Sequence, residues 1–203
     1  YQPYDNLSLL VCLKSTGDIE KKVIASVTES LKADYSFGAD WARLVEIFQA
    51  PSLQMISFTI TEKGYALYRP DGSLMPVVQA DIDEGPAHAR HAMSMVAALL
   101  LERFQNGAAP LAVVSMDNCS HNGEKLQTSV MTVAKAWLEK GFVGQDFIDY
   151  LSDETKITFP WSMIDKITPR PHKMVEESVE KDGIEGMAPI VTSKNTFIAA
   201  FVN

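Results

Sequence analysis

Leu111-Ala112-Val113-Val114-Ser115-Met116-Asp117-Asn118-Cys119-Ser120-His121-Asn122-Gly123 is the stretch whose reading decides the fold. A short apolar run, Leu111 to Val114, gives way to a polar loop with an aspartate, two asparagines and a histidine. A helical pattern from Glu124 to Lys140 follows. Strand, polar loop and helix form the unit of an α/β sheet. Ligands of open α/β sheets gather beyond the carboxyl ends of the strands, beside helix N-termini. Asn118 then has two readings. Its amide N–H faces an oxygen that becomes negative during a reaction, or Asp117, Asn118 and Asn122 together cap the following helix.

The same alternation repeats outward from this unit. Met55 to Ile60 alternates, is rich in β-formers, and delivers Thr61 and Glu62 to its carboxyl end. Thr155 to Phe159 reads as the last strand of the central region. Leu9 to Leu13 and Val23 to Val27 read as two earlier strands, separated by the turn-prone Ser15-Thr16-Gly17-Asp18. Trp41, Leu44, Val45 and Phe48 share one helix face, with Asp40 as N-cap and Pro51 as the stop. Pro86 to Phe104 predicts a long helix turning Ala92, Val96, Leu99 and Leu100 inward, closed by Asn106-Gly107. Leu126, Val130, Val133 and Trp137 mark another, and Phe142 to Leu151 a shorter one. Arg69-Pro70-Asp71-Gly72 is a turn closing a small hairpin excursion over about residues 65–80. Strands alternating with helices predict a Rossmann-like α/β domain: a mainly parallel sheet with helices on both faces. Further on, Lys173 to Lys181 reads as a charged helix, and Ile190-Val191-Thr192 and Phe197 to Val202 as short strands.

Composition excludes several classes. A length of 203 residues suits one sizeable α/β domain. With 26 acidic against 18 basic residues and a net charge of −8, no basic stripe exists to follow a nucleic acid. No apolar run approaches the roughly 18 residues that span a bilayer, so no membrane association is expected. Tyr1 opens a polar stretch without the profile of a secretory signal. Cys12 and Cys119 are too few for a disulfide framework and have no metal-site spacing. Cys12 reads as a core residue, Cys119 as part of the loop packing, and the setting as reducing and cytoplasmic. His88 and His91 have no third ligand near them, so no metal is expected there; they read as a solvated or phosphate-facing helix surface. Asp81, Asp83 and Glu84 read as a solvated acidic cap favoured by the helix dipole.

Three segments, in this order, carry a family pattern. The first, Thr59-Ile60-Thr61-Glu62-Lys63-Gly64-Tyr65, fits T-x-T-E-x-G-Y. Asp117-Asn118, followed by Asn122-Gly123-Glu124-Lys125-Leu126, fits D-N-x3-N-G-x2-L. The third, Phe159-Pro160-Trp161-Ser162-Met163-Ile164-Asp165-Lys166-Ile167-Thr168-Pro169, fits F-P-x-[ST]-M-[VI]-D-[RK]-I-x-P. The chain thereby resembles the mannitol dehydrogenase family of long-chain, NAD-dependent polyol and sugar-acid oxidoreductases, which includes fructuronate and tagaturonate reductases. The resemblance covers roughly residues 5–203 and is strongest from Met55 to Pro169.

The resemblance implies NAD as cofactor and a small polyol or sugar acid as substrate. It makes Asn118 one of two amides around the substrate carbonyl, the second coming from another domain. Asp165 matches the family's aspartate and is implied to face the substrate pocket; an ion pair with Lys166 or a buried turn contact is the other reading. Glu62 is either a proton relay or nicotinamide-side contact, or a carboxylate capping a loop. Thr61 and Ser115 end adjacent strands, where they are expected to hydrogen-bond the cofactor. Trp161 is a position for tuning specificity. His121 takes no base role, since the family uses a lysine.

Two family elements have no counterpart in this sequence. No G-x-G-x-x-G occurs, and Gly141 and Gly144 follow a helix rather than a strand. The family's K-x4-N-x2-H has no match either, since Lys194-Asn195 lacks the asparagine and histidine that should follow. The expectation is a partial NAD-binding domain over residues 1–203, without its opening βα unit or its catalytic helical domain, and inactive alone. A non-catalytic α/β module binding a nucleotide or a protein partner is the competing class.

Overall fold

The computed structural model describes residues 2–164, 173–184, 190–191 and 197–198. Along the chain run β1 (Ser8–Leu13), β2 (Ile19–Ile24), α1 (Gly38–Gln49), β3 (Met55–Phe58), α2 (Pro76–Glu84), α3 (Ala92–Gln105) and β4 (Leu111–Ser115). There follow α4 (Asn122–Glu139), α5 (Gln145–Ser152), β5 (Ile157–Thr158), α6 (Lys173–Lys181), β6 (Ile190–Val191) and β7 (Phe197–Ile198). Short 3-10 turns lie at Glu62–Tyr65 and Pro86–His88. Contacts divide the chain into two compact units, Leu31–Asp165 and a second made of Tyr1–Ser30 with Lys166–Asn203.

The larger unit is built on a three-stranded sheet in the order β3-β4-β5, with both pairings parallel. Phe58 lies opposite Ser115, and Leu111 opposite Ile157. Parallel pairing makes each connection carry the chain back across the sheet, so all three strands end on one edge. Leu111, Val113 and Ser115 are buried while Ala112 and Val114 are half-buried, the period-two pattern of a strand. Helix α3 packs against both α1 and α4, and α4 against β4. Met93, Leu100 and Phe147 are wholly buried among these elements, each contributing about 1.5–3 kcal/mol over an exposed position. The α/β architecture with a parallel sheet expected from the alternation is the one found.

Local details depart from expectation for identifiable reasons. Helix α3 starts at Ala92, not at Pro86, because Asp81 intervenes: its carboxylate accepts the N–H of Arg90 at 3.0 Å and of His91 at 2.8 Å. His91 then caps α3, its Nδ1 accepting the Met93 N–H at 3.3 Å. Asp81 is therefore wholly buried rather than solvated. It belongs to α2, a helix not anticipated in the sequence, which opens on Pro76 in its first turn. At α1 the N-cap is Phe37; Asp40 lies in the first turn, where its carboxylate accepts the Lys32 N–H at 2.9 Å. The Arg69–Gly72 turn is present, Gly72 taking φ 83 and the Tyr68–Leu74 bridge closing it.

In the smaller unit β1 and β2 pair antiparallel, from Ser8 with Ile24 to Leu13 with Ile19. The second strand lies earlier than expected because the hairpin closes at once, the Lys14 N–H reaching Asp18 O at 2.9 Å. Val11 packs with Val175 and Val179 of α6. Lys21 donates to Ser178 Oγ at 2.9 Å and pairs with Asp182. Ile190 pairs with Ile198 in the β6–β7 ladder.

Candidate functional site

Three stretches separated by scores of residues meet at the carboxyl edge of the sheet: the exit of β3, the exit of β4, and the chain after β5. Asp117 joins the first two. Its Oδ2 accepts the Ile60 N–H at 2.9 Å and the Tyr65 hydroxyl at 2.5 Å, and its Oδ1 accepts the Thr61 N–H at 2.9 Å. Ser115 Oγ lies 2.8 Å from Tyr65 Oη. The tyrosine proton is directed at the carboxylate, so Ser115 donates to Tyr65 and Tyr65 donates to Asp117. Burial, reinforced by the neighbouring carboxylate, pushes the Tyr65 hydroxyl far above the ordinary phenol range. It stays a donor at every physiological pH.

Asn122 joins the second stretch to the third. Its Nδ2 donates to Ser162 Oγ at 2.8 Å, Ser162 O at 3.0 Å and Asp117 O at 3.2 Å. Its Oδ1 accepts the N–H of Gly123 at 2.8 Å and of Ser162 at 3.1 Å. Ser162 Oγ in turn bonds Ser115 O. Gly123 explains itself by space: a Cβ there would lie 2.5 Å from Phe159 O and 2.8 Å from Pro160 O. Only glycine lets the first turn of α4 rest against the chain leaving β5.

Within this frame Asn118 is exposed and makes no side-chain hydrogen bond among the described residues. It caps no helix. The residue before α4 is His121, in the left-handed region at φ 55, ψ 42, with no side-chain cap. Thr61 is exposed as well and holds φ 63, ψ 161, a conformation that a β-branched residue adopts only when its surroundings impose it. Glu62 pairs with Lys125 of α4. Their side chains are 65% and 37% exposed, so the pair contributes little to stability. Ser115, expected at the cofactor, is fully buried with its hydroxyl on Tyr65. Asp165 lies outside the described residues. The His121 ring stacks on Trp161 at 4.4 Å between centroids, and Trp161 stays 61% exposed. A pocket of about 530 Å³ opens beside this edge, lined by Glu62, Tyr65, His121, Lys125, Thr128 and Ser129 among others.

Thr61, Glu62, Ser115 and Asn118 thus come to one edge of the sheet, held by Asp117 and Asn122, which the sequence offered only as helix caps, and by Tyr65 and Ser162, which it did not single out. Tyr65, Asn122 and Ser162 all lie inside the quoted patterns. His88 and His91 do not face each other across a helix; His88 packs edge-on against Tyr35 at 5.0 Å. Among the described residues no group of three or more His, Cys, Asp or Glu side chains is arranged to hold a metal. No helix among them is long and apolar enough to cross a membrane.

Comparison with known proteins identifies the family and the fold. The family model described as the mannitol dehydrogenase Rossmann domain matches residues 2–200. A D-mannonate oxidoreductase of Thermotoga maritima is 54% identical over 203 residues, covering all of this chain and 37% of the relative. A mannitol 2-dehydrogenase of Pyrenophora tritici-repentis is 31% identical over 94% of this chain and 32% of its own length. The chain spans about a third of the length of these curated relatives. Among solved structures, the ternary complex of Pseudomonas fluorescens mannitol 2-dehydrogenase with NAD and D-mannitol superposes with a TM-score of 0.70 at 25% identity, over 89% of this chain and 35% of that one. A substrate-free D-sorbitol dehydrogenase shares the fold at a TM-score of 0.72.

Proposed function

This chain belongs to the mannitol dehydrogenase family, and from that premise we propose that the protein carrying it is an NAD-dependent oxidoreductase. It interconverts a secondary alcohol and a ketone on a sugar-derived chain. The sugar-acid pair mannonate and fructuronate is the first choice, on the strength of the 54% identity to the Thermotoga maritima protein; mannitol and fructose are the second. The observation that carries the catalytic reading is the state of Asn118: exposed at the end of β4 with no side-chain hydrogen bond among the described residues, while Asp117 and Asn122 on either side are well bonded. The two cysteines, both free, suit a reducing, cytoplasmic setting.

The residues at this edge suit the nicotinamide end of a dinucleotide. Thr61 presents a hydroxyl with no hydrogen bond among the described residues, and Glu62 follows it at the same strand exit. These two would hold the nicotinamide–ribose end, with Ser115 supporting them from beneath. The sequence has no glycine-rich pyrophosphate turn, so the fit concerns that end alone. When bound, NAD supplies the ring that exchanges hydride with the substrate carbon. Asn118 donates its amide N–H to the substrate oxygen, and this bond strengthens as the oxygen gains charge. A lysine of the domain beyond this chain, implied by the family resemblance, moves the hydroxyl proton. The family resemblance implies that Asp165 faces the substrate.

The test is NADH consumption by the purified full-length protein with fructuronate and with fructose. Consumption with fructuronate, far faster than with fructose, is expected. Equal rates would remove the sugar-acid preference. Failure with both, and with mannonate and mannitol in the reverse direction, would leave the non-catalytic module as the better reading.

A further inference from the structure

Asp117 has no task in the chemistry just described, yet its side chain is what ties the exit of β4 to the exit of β3. Its two carboxylate oxygens hold Ile60, Thr61 and Tyr65, and its own carbonyl is held by Asn122. Asn118, the next residue, contributes nothing to its own placement, since its side chain is exposed and unbonded among the described residues. An oxyanion donor must nevertheless sit within about 2.7–3.1 Å of the oxygen it serves. An error of about 1 Å in such a position costs on the order of 100-fold in rate. We propose that Asp117, with Tyr65 and Asn122 behind it, is the positioning residue that sets where the Asn118 amide stands. The inference rests on the proposed role of Asn118.

The geometry gives the mechanism of positioning. Asn118 is one peptide away from a side chain that reaches across to the neighbouring strand's exit, so the β4 loop cannot slide without pulling Ile60 and Thr61 with it. Bonds from backbone N–H to an ionised carboxylate are roughly twice as strong as neutral ones. The same bonds oppose the tendency of Thr61 to leave its positive φ. On the other side Asn122 ties the Asp117 carbonyl to Ser162. The loop is clamped at the residue before Asn118 and again four residues after it. One set of bonds therefore registers the cofactor-side exit, Thr61 and Glu62, against the substrate-side amide.

The test is a double-mutant cycle in the full-length enzyme. Asp117→Asn keeps the shape but turns an N–H toward one of the donors that the carboxylate accepted. It should lower kcat on the order of 100-fold and speed hydrogen exchange at the Thr61 amide. In an Asn118→Ala background the same change should lower kcat less than about 3-fold, because the group it positions is gone. Tyr65→Phe removes one of the three bonds on the Asp117 carboxylate, together with the Ser115 bond, and should show a smaller effect with the same loss in that background; it carries the test if Asp117→Asn folds poorly. If Asp117→Asn lowers kcat equally in both backgrounds, or not at all, the positioning role is overturned while Asn118 stands. If Asn118→Ala by itself keeps normal kcat, the proposed function fails, and this inference with it.

Discussion

The two edges of the β3–β4–β5 sheet are assembled from similar polar groups and left in opposite states. At the amino edge Arg103, 1% exposed, directs every N–H it has at a backbone carbonyl. Nε reaches Ala109 O at 2.9 Å; Nη1 reaches Phe48 O at 2.6 Å and Ala50 O at 2.9 Å; Nη2 reaches Leu53 O and Pro110 O at 2.8 Å. One guanidinium thus satisfies the chain between α1 and β3 and the chain between α3 and β4. At the carboxyl edge Asp117, Asn122 and Ser162 are equally well bonded, but Asn118 and the Thr61 hydroxyl stand open beside them. Complete satisfaction marks a part that holds the fold. A bonded frame around exposed polar groups is where the proposed ligand would bind.

The comparison breaks most visibly at the amino edge. Arg103→Met would take a donor from five backbone carbonyls, of which Ala50 O keeps the Leu53 N–H and Ala109 O keeps the Tyr150 hydroxyl. It should cost about 3–5 kcal/mol in urea unfolding, and Arg103→Lys should recover little because an ammonium cannot fork to five oxygens. A loss below about 1 kcal/mol would show that the carbonyls find water and that the edge is not built on this residue.

At the carboxyl edge the same experiment should give the opposite signature. Asn118→Ala in the full-length enzyme should lower kcat about 10²–10³-fold while stability stays within about 0.5 kcal/mol. Asn118→Asp should be worse, since a carboxylate repels a developing alkoxide. Near-normal turnover in Asn118→Asp would end the oxyanion reading.

Gly123→Ala lies between these cases, since it strikes the frame rather than the open group. Its Cβ would meet backbone oxygens of Phe159 and Pro160 at 2.5 and 2.8 Å, which neighbouring side-chain motion cannot relieve. A loss of about 1–3 kcal/mol is expected, read by thermal unfolding together with a fall in kcat. Unchanged stability would mean that the contact between α4 and the chain after β5 is loose.

The smallest effect is a pH dependence at α3, the helix that spans the sheet between the two edges. Burial, only partly offset by Asp81, holds the His91 imidazole below its ordinary pKa of 6.5. As pH falls the unfolded chain takes up the proton first, so this contribution to stability is complete above about 6.5 and declines below it until the folded imidazole protonates. Protonation also removes the Nδ1 acceptor that caps Met93. Tm should therefore fall between about pH 7 and about pH 5 more steeply in the native protein than in His91→Asn, which keeps a neutral acceptor. Parallel slopes would show that His91 is not the group responsible.

Much of this was legible beforehand. The spacing of Trp41, Leu44, Val45 and Phe48 places α1, and the run before Ser115 places β4, because burial imposes a local period on the chain. Helix α2 was illegible: its acidic end looks like a solvated cap until Asp81 is seen bonding the N–H groups of Arg90 and His91, nine and ten residues on. The hairpin register slipped for a related reason, since the turn closes through backbone groups that composition does not mark.

By itself, then, the sequence determined the alternation of strands and helices, the family, and the three segments from which the site is made. Only the tertiary structure decided which of their polar residues are frame and which are free. In the pattern around residues 117–123 Asp117, Asn118 and Asn122 are chemically alike as hydrogen-bonding residues, and nothing local separates them. Their partners do: Thr61 lies 56 residues from Asp117, and Ser162 lies 40 from Asn122. Periodicity records which side of an element is buried. A hydrogen bond between distant segments leaves no period, so it becomes visible only once the sheet has brought its strand ends together.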